Sequence, residues 1–411
     1  MQGFVNTIRT QARTGAPVLL VLLGFSIPVS VVSDNILLGL ILLCWILGGS
    51  YAEKWRLMWR NPVARAGLIL FLLLVLGSFH GPGRVADALN MLFKLKVFLL
   101  IGLFVGLIPD EPRLKTRMLN AFLWAMGLTL VLTFLIAFGL LHPEILHLHG
   151  QPGEPEPFKD HITQNFLMSF AVFVWLLRAV QSKGMPRLGW VALALLAIYS
   201  IVFLVPGRTG YLTLALLALY AAFLFAHAKS WGLWGGLILI VMAGLAAFHY
   251  SHRFEHGIML ARSQALKWER NPVANQYDSI GLRLDFYENS LQIWKEHPLS
   301  GVGTGSFKAA YQGKVAGTGQ VATDNPHNDY LLIAVQLGTV GLVALFYLYL
   351  CSWRASQELG DRERNLARGL VILYMSGGMV DAVLLSHTES LCFAWFSALF
   401  FSSLPGVWKK T

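Results

Sequence analysis

Long apolar runs follow one another along almost the whole chain, and they leave few ways for it to fold. They lie at approximately 16–32, 35–50, 66–80, 97–109, 118–141, 163–181, 188–205, 209–227, 231–249, 327–351, 367–386 and 389–405. About 20 apolar residues in a helix cross the roughly 30 Å of bilayer hydrocarbon. Lipid offers backbone groups no partner, so a spanning segment must be a helix or part of a closed barrel. Barrel strands read as alternating segments of about 10 residues, which these runs are not. The fold expected is an all-α integral membrane protein with about twelve transmembrane helices. Charge content agrees: 13% of residues are charged, against about 25% in soluble domains. The fourth run is short, and the amphipathic stretch Val85 to Lys96 just before it offers an earlier start.

The first run, Ala16 to Val32, follows Arg9 and Arg13 as a signal peptide would. No small-x-small cleavage site ends it and a second run begins at Asn35, so it reads as a retained span. Cys44, Cys351 and Cys392 all sit inside apolar runs, where cysteine acts as a small core residue, and they build neither a disulfide framework nor a zinc site. The net charge of +10 records topology, because no basic stretch interleaved with aromatics points to nucleic acid.

Lysine and arginine in short loops orient the spans. With the N-terminus inside, the short inner segments hold 19 of the 32 basic residues, from Arg9 and Arg13 to Lys409 and Lys410. The outer segments hold 13, eight of them in one long loop, where the rule carries little weight. Both termini are therefore expected in the cytoplasm. The chain divides into 1–249 with nine spans, an outer loop at 250–326, and 327–411 with three spans and a short tail. A loop that long usually has structure or function of its own. Leu284, Tyr287, Leu291 and Trp294 recur at helical spacing before His297-Pro298, and Gly301-Val-Gly-Thr-Gly305 reads as a flexible turn. A smaller outer loop, 142–160, is rich in Pro, Glu and His, and no transporter-like internal repeat is visible.

Three residues at or beyond the outer ends of spans carry possible chemistry. Arg208, in Pro206-Gly-Arg-Thr-Gly210, runs against the positive-inside bias. It reads either as a guanidinium snorkelling to headgroups or, beside flexible Gly207 and Gly210, as a bidentate anion grip. Arg283 opens the loop helix, and on sequence alone stands no higher than Arg253, Arg262 or Arg270 as more than a solvated charge. His327 sits where the long loop re-enters the membrane. It reads as a satisfied structural residue or as a neutral imidazole that takes a proton from an attacking hydroxyl. Gly338 and Gly341 would let another helix approach closely. Gly301 to Gly305 resembles a phosphate loop but lacks the following Gly-Lys-Ser/Thr. His142, His147 and His149 match no strong ligand spacing, and no Asp-x-Asp pair marks a divalent cation site, so no metal or cofactor is expected. Asp381, inside the eleventh span, is a costly buried carboxylate able to orient or neutralise a basic group.

Twelve spans, a large outer loop before the third-last, Arg208-Thr-Gly210, His327-Asn328-x9-Gly338-x-x-Gly341 and His297-Pro-Leu-Ser-Gly-Val-Gly-Thr-Gly305 together resemble the bacterial O-antigen ligase family. The family is related to O-antigen polymerases and protein O-oligosaccharyltransferases. Gly207 stands where the family more often has serine. The resemblance implies a glycosyltransferase of the GT-C type in the bacterial inner membrane, with its active site facing the periplasm. The implied donor is a glycan on undecaprenyl diphosphate and the implied acceptor a sugar hydroxyl of lipid A–core. In that setting His327 is the expected general base, Arg208 and Arg283 the diphosphate grip, and Asn328, Gly210 and Asp381 supporting residues. One direct displacement would invert the anomeric centre, since no carboxylate pair suggests a covalent intermediate. The lipid-linked substrates imply a cavity open sideways to the outer leaflet. A polymerase needs the same grip and base and remains the alternative within the enzyme class. A protein-glycosylating ligase would carry a longer chain with an extra outer domain. A lipid-linked glycan transporter or flippase would show inverted repeats and broken helices at the midplane.

Overall fold

The computed structural model of the chain describes residues 2–146, 148–205, 207–226, 242, 244–246, 248–270 and 278–404. Most of the expected ninth span (231–249), Pro206 and His147 lie outside these residues. Regular structure among the described residues is helical, apart from a single isolated bridge between Gln151 and Glu154. The all-helical class is as expected.

The first half comprises α1 (Gln2–Ser26), α2 (Val31–Leu47), α3 (Tyr51–Arg60), α4 (Pro62–Gly77), α5 (Val85–Lys94), α6 (Val97–Val105) and α7 (Pro112–Ala137). After it come α8 (His161–Gln181), α9 (Met185–Tyr199), a π-helical turn (Ser200–Leu204) and α10 (Arg208–Ala226). The long segment before the last three helices contributes α11 (His252–Arg270), α12 (Ser279–Glu296) and α13 (Phe307–Val315). The chain then returns through α14 (Asp329–Ala355), α15 (Asp361–Gly377) and α16 (His387–Phe401). Among the described residues five helices are long and apolar enough to cross a membrane, or seven if two bent pairs each form one span. In those pairs α2 meets α3 at 114° and α5 meets α6 at 44°. The amphipathic stretch before the fourth run is thus a helix of its own, α5, set at an angle to α6.

The last helix is the hub. Every residue of α16 from Thr388 to Phe401 is buried, as expected of a helix apolar all round. In lipid no hydrophobic drive joins helices, so close packing must do so. Trp395 packs against Gly24 of α1, where a Cβ would come within 2.4 Å of the indole, and its Nε1–H donates to Leu20 O at 2.8 Å. Phe396 meets Phe122 and Phe170 edge-on, both at 4.9 Å between ring centroids. Such pairs add about 0.5–1.5 kcal/mol each beyond area burial.

Gly338 corrects one expectation. It interrupts α14 with φ +63° and ψ −158°, and what approaches it is a loop of successive turns and no helix. A Cβ there would lie 2.2 Å from Leu299 O. The segment from Pro298 fills the break: Thr339 N–H donates to Pro298 O at 2.8 Å, and Val302 and Gly303 donate to Val335 O and Gln336 O at 2.8 and 3.0 Å. Thr304 N–H and Oγ1 continue the contact to Gly77 O and Leu74 O of α4. Gly301, Gly303 and Gly305 all have positive φ and are buried, so this sequence is a backbone wedge, neither a flexible turn nor a phosphate cradle. It supplies partners to groups that a broken helix would otherwise leave unpaired.

The second correction concerns Asp381. Helix α15 ends at Gly377-Gly378, and residues 378–386 are not helical, so Asp381 lies in a connecting segment and not in a span. The reason is local. Asp329, buried at the start of α14, takes the Leu384 N–H on its carboxylate at 3.1 and 3.2 Å, while its own N–H donates to Gly378 O at 2.9 Å. These bonds fold the segment back over the N-terminus of α14.

Candidate active site

His327 immediately precedes that N-terminus. Its backbone has φ +51°, rare for a residue with a side chain, and three contacts hold it there. Its N–H donates to Asn325 Oδ1 at 2.9 Å, and its carbonyl accepts from the Tyr287 hydroxyl at 3.1 Å. Its ring lies nearly parallel to that of Phe286, 6.3 Å between centroids. Strain of about 1–3 kcal/mol survives only where the surroundings dictate it, and such positions cluster at functional sites.

The conformation brings the imidazole to Asp381. Nδ1 of His327 lies 3.0 Å from Asp381 Oδ1, which also accepts the Ala382 N–H at 2.8 Å. A carboxylate there selects the tautomer with the proton on Nδ1 and leaves the Nε2 lone pair available. The histidine side chain is 38% exposed and Asp381 only 12%, so the base is reachable while its orienting partner is enclosed.

Asn328 is the N-cap of α14. Its Oδ1 accepts the Leu331 N–H at 3.0 Å and its Nδ2 donates to Met379 O at 2.8 Å. It therefore joins the end of α14 to the segment that carries Asp381.

Helix α12 supplies the opposing wall. Arg283, Phe286 and Tyr287 stand three and four residues apart, hence on one face. Arg283 interacts electrostatically with Asp381, Tyr287 and Arg208. Burial pushes the Tyr287 hydroxyl above its ordinary pKa, with Arg283 pulling the other way. That hydroxyl also reaches Met379 O at 3.3 Å, so α12 is latched both to His327 and to the 378–386 segment.

Arg208 comes from the other side, at the first turn of α10. Its Nη2 donates to Ser279 Oγ at 3.1 Å, one turn before Arg283 on α12, and its Nη1 is buried without a partner among the described residues. Gly207 and Gly210 serve close approach and not flexibility. A Cβ on them would come within 2.7 and 2.5 Å of Asn165 on α8. The π-helical turn before Arg208 leaves carbonyls free, and the start of α11 with the residue before it covers them, through Ser251 Oγ to Val202 O at 2.9 Å and Arg253 to Leu204 O.

The structure thus brings His327, Asp381, Asn328, Arg283 and Arg208 around α12, with Gly210 seating the last of them. Phe286, Tyr287, Ser279 and Asp329 had no expected role. The first three were detectable as the residues sharing a helical face with Arg283. Among the described residues no group of three or more His, Cys, Asp or Glu has the arrangement of a metal site.

The architecture is all-helical, with five to seven apolar helices able to cross a membrane among the described residues, and it sets a histidine–carboxylate pair near two guanidiniums. Residues 187–346, less than half of the chain, match the model of the O-antigen ligase family, the family its motifs resemble. The matched segment contains Arg208, Arg283 and His327, and Asp381 lies beyond it. A stretch of 121 residues is also 32% identical to an uncharacterized protein of Haemophilus influenzae. That similarity covers 28% of this chain and 30% of the other.

Proposed function

We propose that the protein is an O-antigen ligase that transfers a glycan from undecaprenyl diphosphate to a sugar hydroxyl of lipid A–core at the periplasmic face of the inner membrane. The observation that carries this reading is the 3.0 Å contact between His327 Nδ1 and Asp381 Oδ1, facing the Arg283 side of α12. In the reaction, Nε2 of His327 takes the proton of the acceptor hydroxyl as its oxygen bonds to the anomeric carbon. The bond from that carbon to the diphosphate oxygen breaks, the electron pair stays on the leaving group, and the centre inverts. Arg208 and Arg283 balance the charge that develops there, and the unpaired Nη1 of Arg208 is a donor ready for it. Asp381 stabilises the imidazolium formed in the transfer.

The first units of the donor's lipid tail would lie in an apolar cavity close by. An apolar cavity of about 430 Å³ runs between α8, α9, α10 and α11, lined by Phe173, Phe203, Tyr211 and Phe254. Tyr211 is one turn from Arg208, so head and tail would meet along one helix. The decisive experiment reconstitutes the protein with lipid-linked glycan in chelator-containing buffer and offers lipid A–core or a second lipid-linked repeat unit. Glycosylated lipid A–core is the expected product. Extended lipid-linked glycan alone would make it a polymerase, and translocation without transfer would make it a flippase.

A further inference from the structure

A second cavity lies away from this site, between α7, α8 and α9, with a volume of about 790 Å³. Its polar end holds Asn120 and Arg178, and its body is walled by Trp124 and Trp190. Gly127 and Gly189 line it too, and a Cβ built on either meets nothing within 4 Å, so both open onto empty space. From Asn120 to Val131 the cavity follows eleven residues of α7, about 16 Å of helix. That is close to half the roughly 30 Å hydrocarbon thickness, the depth of a single leaflet.

The polar end is cationic. Arg178 stacks on the Trp190 ring at 5.1 Å and donates through Nη2 to Asn120 Oδ1, but its Nε is buried with no partner among the described residues. Arg362 is the charged group that acts on it, and it repels. Lys183 and Arg187 flank the start of α9, so this end belongs to the side that the lysine and arginine bias puts in the cytoplasm. A guanidinium with an unused donor, tryptophans at headgroup depth and an apolar slot one leaflet long make up the parts of a phospholipid site.

We propose that this cavity holds an anionic glycerophospholipid of the inner leaflet, its phosphate on Arg178 and one acyl chain along Gly127 and Gly189. The lipid would brace α7 and α9 against α8, and it is neither donor nor acceptor in glycan transfer. The site stands whether the transferase is a ligase or a polymerase.

The test uses full-length protein in neutral detergent, with binding read by native mass spectrometry and by thermal unfolding. Phosphatidylglycerol is expected to bind and raise the unfolding midpoint, while phosphatidylcholine and inorganic phosphate have little effect. Arg178→Gln should weaken phosphatidylglycerol binding about tenfold or more, the scale of a lost charge-assisted hydrogen bond. Gly127→Leu, which fills the slot without touching Arg178, should weaken it as well. Both variants should unfold near the wild-type midpoint without added lipid, Gly127→Leu because its new side chain meets open space. Equal shifts with phosphatidylcholine, an equal shift with inorganic phosphate, or full phosphatidylglycerol binding by both variants would overturn the proposal.

Discussion

Nδ1 of His327 and Oδ1 of Asp381 lie 3.0 Å apart although 54 residues separate them in the chain. The approach depends on two irregular features: the positive φ of His327 and the non-helical segment 378–386. Neither lies in a regular helix, yet each is fixed by hydrogen bonds to one.

If His327 is the base, His327→Ala should lower transfer to lipid A–core by about 10²- to 10⁴-fold, the usual contribution of general-base catalysis. Membrane insertion and the unfolding midpoint should stay near wild type. Transfer at wild-type rates in purified components would refute the assignment.

Asp381→Asn keeps the shape of the partner and removes its charge. Turnover should fall on the order of 10²-fold, because the amide neither selects the tautomer nor stabilises the imidazolium. Turnover at the wild-type rate would contradict the pairing.

Arg208 and Arg283 reach the site from different helices but would grip one diphosphate. Arg208→Ala and Arg283→Ala should each lower kcat by about 10²- to 10³-fold, as removing one preorganised donor does. The lysine variants should recover little, because an ammonium cannot reproduce the bidentate fork. Near-normal turnover in Arg208→Ala would return that residue to headgroup snorkelling.

Hydropathy revealed the helical class and loop position singled out His327 as a candidate, because both depend on local transfer energy and charge. What stayed hidden was continuity. The stretch around Gly338 and the stretch from Gly378 to Ser386 are apolar enough to pass for helix, yet their backbone groups are satisfied by other segments. A hydropathy profile registers side chains and cannot tell which carbonyl an N–H will find. Asp381 was legible as a costly carboxylate, but not as the partner of His327, since the connection runs through Asp329 and Asn328. Arg283 was indistinguishable from its basic neighbours until α12 set it on one face with Phe286 and Tyr287.

Gly338→Ala tests the wedge. The new methyl group would meet Leu299 O at 2.2 Å in a left-handed backbone, a conformation that alone costs about 1–3 kcal/mol. The unfolding midpoint should drop by several degrees, with a parallel loss of active protein but an unchanged KM for the donor in the fraction that folds. A raised KM at unchanged stability would instead point to glycan or phosphate contact by the glycine segment.

Tyr287→Phe separates positioning from packing. The ring remains, while the hydroxyl that holds His327 O and Met379 O is lost. One neutral hydrogen bond corresponds to about 0.5–1.5 kcal/mol, so kcat should fall roughly three- to tenfold with little change in donor KM or in the unfolding midpoint. Combined with Asp381→Asn the losses should not multiply, because both changes release the same imidazole and residues within one network couple. Fully multiplicative losses would mean that Tyr287 acts elsewhere, through the neighbouring Arg283 and the leaving group.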